Sequence, residues 1–243
     1  MKLGLGLSLN NRIDAAWTPA KFGANLVMWL QNDTGILESD GSTAEDTENV
    51  TKWTDQSGDG NHMLAANNHF DYDAATGGVE SADSTNSKLF LATDGSKHIN
   101  LDGAFALYAR LAISTVSSGS TDLFFYDSDA ASADFFRVHS TTEIRTKINS
   151  STKVGWTQGS PTLDQFYNFG LERDGDNVLT CYRDNSALTK IGTSGYETGA
   201  VSGDFVLDAI GGSFDGIIKE VVWVNRAITA SERNKLDAYF DKI

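Results

Sequence analysis

From Ala104 onward the chain is cut into short runs of alternating apolar and polar residues separated by turn formers, and this rhythm dictates a strand-built fold. In Ala104 to Ile113, the side chains of Phe105, Leu107, Ala109, Leu111 and Ile113 share one face of an extended chain, with Tyr108 and Arg110 on the other. Runs of about five to nine residues follow at 122–126, 135–139, 143–148, 166–172, 178–183, 205–210 and 217–225. Such spacing is that of a sandwich or barrel. Asp174-Gly-Asp-Asn177 joins two runs as a hairpin turn would. Leu26-Val-Met-Trp-Leu30 is apolar throughout, as expected of a strand buried on both faces. Glycine at 23 of 243 residues against 2 prolines fits many tight turns rather than a string of linked modules.

Only the C-terminal end has helical chemistry. Thr229-Ala-Ser-Glu232 is a capping box, in which hydroxyl and carboxylate each satisfy the other residue's backbone amide. Leu236, Tyr239, Phe240 and Ile243 then fall at i, i+3, i+4 and i+7, predicting one amphipathic helix packed on the strands.

The formal charge is −14, which excludes a nucleic-acid binder working through bulk charge, since phosphates must be neutralised by Lys and Arg. From Phe22 to Ser87 twelve acids face the single base Lys52, so −11 of the charge lies there, among Gly, Ser, Thr and Asn that read as solvated loops. The lone Cys181 rules out an internal disulfide, and no run reaches the length of a membrane-spanning helix. The start, Met1 to Asn10, does not read as a secretion leader, because Gly4, Gly6 and Ser8 interrupt its apolar part. Instead Leu3, Leu5, Leu7 and Leu9 would form one leucine face of an extended arm. Such an arm suits strand addition to a partner protein or to a neighbouring subunit of a homo-oligomer, or an edge position on its own sandwich.

The opening Leu26-Val-Met-Trp-Leu30 with Trp53-Thr-Asp-Gln-Ser-Gly-Asp-Gly-Asn-His62, and the closing Gly216-Ile-Ile-Lys-Glu-Val221 with Arg226-Ala-Ile228 and a short helix, resemble the two ends of concanavalin A-like (laminin G-like) domains. The resemblance implies an all-β concanavalin A-like jelly-roll β-sandwich over residues 22–243, with one short C-terminal helix, preceded by an extended anchoring arm over residues 1–21. A leucine-striped start ahead of such a domain also resembles the beginnings of bacteriophage virion structural proteins. The expectation is therefore a non-enzymatic virion component, a capsid decoration or other surface protein, held to capsid or tail proteins through the arm. The alternative is a carbohydrate-binding, lectin-like module of a tail fibre that recognises host-surface glycans.

Candidate chemistry is sparse. Family glycosidases place carboxylates along one strand, and the nearest match, Glu172-Arg-Asp-Gly-Asp176, reads as a hairpin tip. No nucleophile elbow, phosphate loop or zinc signature occurs. No cofactor is required by the sequence; a structural calcium on a loop is implied by the resemblance, with Asp33, Asp55, Asp59 and Asp215 as candidate ligands. A true EF-hand is excluded, because Ala66 occupies the twelfth position of the loop that starts at Asp55. For a glycan, Trp156 with Gln158 is the candidate platform, whereas Trp29, Trp53 and Trp223 are assigned to the core.

Overall fold

The computed structural model describes residues 17–65, 70–81, 87–92, 96–116, 122–128, 134–149, 151–212 and 214–243. They form an all-β sandwich closed by one short C-terminal helix. The first antiparallel sheet runs Ser186–Ala187, Leu179–Arg183, Phe166–Arg173, Phe105–Ile113, Gly216–Val224, Gly78–Ser81, Phe70–Asp73, Asn49–Val50. Leu26–Leu30 pairs with the far half of Gly216–Val224. The second runs Thr189–Lys190, Thr152–Thr157, Glu143–Ile148, Phe135–Ser140, Asp122–Tyr126, Ala209–Gly211, Lys88–Phe90, Met63–Leu64, Lys52–Trp53, Ile36–Leu37. A small pair, Ile99–Leu101 with Phe205–Leu207, stands beside them.

The alternation seen in the sequence sorts side chains into layers. Phe105, Leu107, Ala109, Leu111 and Ile113 enter the core between the sheets, where they join Trp53, Trp156 and Trp223. Ala106 and Tyr108 point out of the first sheet into a second apolar layer with Phe22, Leu26, Trp29, Val222 and Val224. That layer is roofed by Leu236 and Phe240 of the helix Ala230–Phe240 and by the 3-10 helix Pro19–Asn25. Burying side chains of this size contributes about 2 kcal/mol each. The capping box forms as expected, and Arg226 adds an ion pair to Glu232 at 2.6 Å that holds its carboxyl down at about 2.

Three elements depart from the sequence reading. The strand Phe166–Arg173 extends one residue past the expected run and the turn begins at Asp174 as expected, so Glu172 lies in the strand and not at the hairpin tip. Arg173 is completely buried and donates to the carbonyls of Gly103 (2.5 Å), Gly203 (2.6 Å) and Leu101 (2.6 Å), tying two loops to the strand end. The expected run 205–210 is two strands, because the chain passes from the small pair into the second sheet at the buried Asp208. Thr152–Thr157, adjacent to Glu143–Ile148, had no counterpart in the sequence reading.

Candidate binding surface and the resemblances of the fold

The Trp53 to His62 motif is a lock on the Leu26–Leu30 strand. Asp55 is buried, and its Oδ1 accepts from the amides of Trp29 and Ser57, both at 2.9 Å. Its Oδ2 accepts from Ser57 Oγ (2.7 Å) and the Asn61 amide (2.9 Å). Gly58 and Gly60 take positive φ values of 99° and 71°, which turn the loop back under the carboxylate. Ser57 Oγ and Asn61 Nδ2 both donate to the Val27 carbonyl, and the Asp55 amide donates to His62 Nδ1. Asp55, Ser57, Asn61 and His62 are thereby engaged in holding backbone.

At Asp55, one of the four expected calcium ligands, the carboxylate oxygens already serve four donors. Asp33 is exposed and accepts from the Tyr72 hydroxyl at 2.5 Å, while Asp59 is exposed on the turn. Asp215 is half-buried, which with nearby Asp164 raises its carboxyl above the usual range. Among the described residues, the three-residue group whose ligand atoms converge within 4.8 Å is a different one: His98, Asp127 and Asp208. The buried Asp208 accepts from both the amide and the hydroxyl of Ser128, and His98 Nε2 lies 3.6 Å from Asp127. Among the described side chains, these three stand close enough together to share a cation.

The expected glycan platform is also corrected. Trp156 is wholly buried between the sheets, because Val154 and Trp156 share the inward face of their strand. Gln158 is buried too, its Nε2 donating to the Ser140 carbonyl. Neither can meet a sugar. Glu172 faces the helix side, where it accepts from the Tyr108 hydroxyl (2.5 Å) and from Arg233 (2.8 Å). Leu3, Leu5, Leu7 and Leu9 lie outside the described residues.

The outer face of the second sheet carries the arrangement that the sequence reading missed. Strand register sets Phe90, Ala209, Tyr126, Phe135, Lys147 and Lys153 side by side in one row across six strands. The neighbouring row places Arg137 opposite Arg145, and Arg145 opposite Gly155. Cross-strand neighbours of this kind stand about 5 Å apart at Cβ. The Arg137 guanidinium lies 4.2 Å above the Phe135 ring, and Lys147 lies 5.4 Å from it. Arg145 is clasped by Glu143 at 2.6 and 3.0 Å and lies 5.1 Å from the Tyr196 ring. Tyr196 fits there because Gly155 has no side chain: a Cβ would sit 2.9 Å from the ring. His139, on the same strand as Arg137, titrates below its usual range, through burial and then the Arg145 and Arg137 charges. A pocket of about 400 Å³ elsewhere, between Glu38, Ser39, Thr47, Glu48, Asn49 and Thr51, holds two carboxylates and no aromatic ring.

No protein-family model matches the sequence, and no curated protein matches it. The fold is that of several solved structures. Trypanosoma rangeli sialidase in complex with sialic acid superposes with a TM-score of 0.59 at 16% identity, over 90% of this chain and 33% of the sialidase. The binding domain of Paraclostridial Mosquitocidal Protein 1 gives a TM-score of 0.56 at 12% identity, over 90% and 52%. The binding domain of Botulinum Neurotoxin DC in complex with SialylT gives 0.54 at 10% identity, over 90% and 52%. The chain thus spans about a third of the sialidases and about half of the toxin binding domains, and at these identities the likeness is one of fold. The expectation of a non-enzymatic protein is corrected by the same finding. This sandwich occurs within sialidase chains, which are enzymes, as well as in toxin binding domains, so the fold gives no ground for setting enzymes aside.

Proposed function

We propose that the protein is a carbohydrate-binding, lectin-like module and that its glycan lies on the outer face of the second sheet. The observation that carries this reading is the set of bases Lys147, Lys153, Arg137 and Arg145 gathered on adjacent strands of that face, in a row that also holds the half-buried Phe90, while Tyr126 and Phe135 of the same row are buried. Sugar rings present C–H faces that pack on aromatic carbon and hydroxyls that accept from Lys and Arg donors. On the first sheet's outer face the helix and the 3-10 helix cover Ala106, Tyr108, Val222 and Val224, and beyond them Phe166 stands between Arg110 and Lys219. Two solved proteins with this fold support the reading by their ligands, sialic acid in one and SialylT in the other. A location on a phage tail fibre, which the sequence resemblance implies, belongs to the same proposal and is tested by immunogold labelling of particles.

The test is a glycan array probed with the full chain and with Lys153→Glu, an exposed position whose change leaves the core untouched. Saturable binding that the variant loses is the expected result. Absence of binding to any glycan, or binding that the variant retains in full, overturns the proposal.

A further inference from the structure

We infer that the glycan bound by this face carries a carboxylate, and that Arg137 and Arg145 receive it. The inference rests on the carbohydrate-binding reading and narrows its ligand class. Its ground is a local inversion of charge. The chain as a whole is at −14, yet residues 135–157 hold four bases, Arg137, Arg145, Lys147 and Lys153, and one acid, Glu143. All four bases alternate with the core residues Phe136, Val138, Ile144 and Val154, so all four stand on the outer face.

Like charges directly opposite one another across a sheet are unfavourable, and here two such pairs are adjacent: Arg137 with Arg145, and Lys147 with Lys153. Glu143 offsets Arg145 in part, and the Lys147 ammonium is held below its usual range by burial first, with Asp134 and Asp127 favouring its charge and Lys153 and Arg137 opposing it. An anionic ligand brings further counter-charge to both pairs. The two guanidinium groups are also held in place beforehand. Arg137 lies over the Phe135 ring, and Arg145 is fixed by Glu143 and the Tyr196 ring, so little side-chain freedom is lost when an anion docks. Planar guanidinium groups suit a carboxylate, which takes two parallel N–H bonds from such a fork. The surrounding −14 protein repels long polyanions, which favours one local anionic group on an otherwise neutral sugar over a nucleic acid or a densely sulfated chain.

The experiment compares three oligosaccharides by calorimetry on the full chain: sialyllactose, its neutral galactosyl counterpart, and a sulfated lactose. Sialyllactose is expected to bind at least tenfold more tightly than the neutral sugar, with an affinity that falls as salt rises. Arg137→Gln and Arg145→Gln, each confirmed folded by its melting curve, are expected to erase most of that preference. Equal binding of neutral and carboxylated sugars overturns the inference and leaves the glycan reading standing. Tighter binding of the sulfated sugar overturns the choice of carboxylate, and no binding to any glycan, in this comparison or across the array, overturns both.

Discussion

Trp29 Nε1 donates to Glu220 Oε1 at 2.6 Å, joining two residues 191 positions apart. Glu220 is fully buried on the strand Gly216–Val224, and its other oxygen accepts from the Asn32 amide at 3.2 Å. Tyr239 of the C-terminal helix packs its ring 6.5 Å from that of Trp29 and acts on the same carboxyl, so the first strand, the last strand and the helix meet at one acid.

Burial pushes the Glu220 carboxyl up to about 7 despite those donors. In the unfolded chain it titrates near 4.5. Between these values the folded state holds a proton that the unfolded state has released, so this group's contribution falls as pH rises through the window and is constant above it. The full difference is about 3 kcal/mol. Glu220→Gln is therefore expected to flatten the decline of stability between pH 5 and pH 7.5, read by urea denaturation across that range. An unchanged slope in the variant would assign the decline to other groups.

Asp55→Ala strips the acceptor from four donors, three of them backbone amides. A loss of about 3 kcal/mol is expected, together with faster hydrogen exchange at the Trp29 and Asn61 amides. Because the carboxylate holds backbone, Asp55→Asn is expected to recover only part of the loss. Full stability of the alanine variant would show that the glycines alone shape the turn.

Trp156→Ala removes a large side chain from between the sheets. The expected cost is about 4 kcal/mol, measured as a drop in the denaturation midpoint, with glycan binding by the folded fraction unchanged. Selective loss of binding at full stability would return Trp156 to the surface role that its burial denies it.

Arg173→Lys keeps the charge but cannot span three carbonyls, since an ammonium lacks the planar fork that reaches them together. A loss of about 2 kcal/mol is expected, and limited proteolysis should then cut near Gly103 or Gly203 first. Equal protease resistance in both proteins would locate the anchoring of these loops elsewhere.

The layers were legible in the sequence wherever one strand carries its own pattern. Phe105 to Ile113 declared both of its faces, and Thr229 and Glu232 declared the helix start, because period and cap are local properties. Trp156 was misassigned for a related reason: its neighbours Gly155 and Thr157 are polar or small, but period two pairs it with Val154 and turns both inward. Glu172 was placed in the turn because Gly175 was visible and the extent of the preceding strand was not. The basic row could not be read in advance. Glu143-Ile-Arg-Thr-Lys-Ile148 shows that its charged residues point outward, yet that Arg137 meets Arg145, and Lys147 meets Lys153, depends on register, which is a relation between strands.

The apolar layer beneath the helix includes Trp17 at one end of the described chain and Ile243 at the other. Both ends of the sandwich therefore emerge on the side opposite the basic face. Apolar packing thus closes one face of the sandwich and leaves the other to charge.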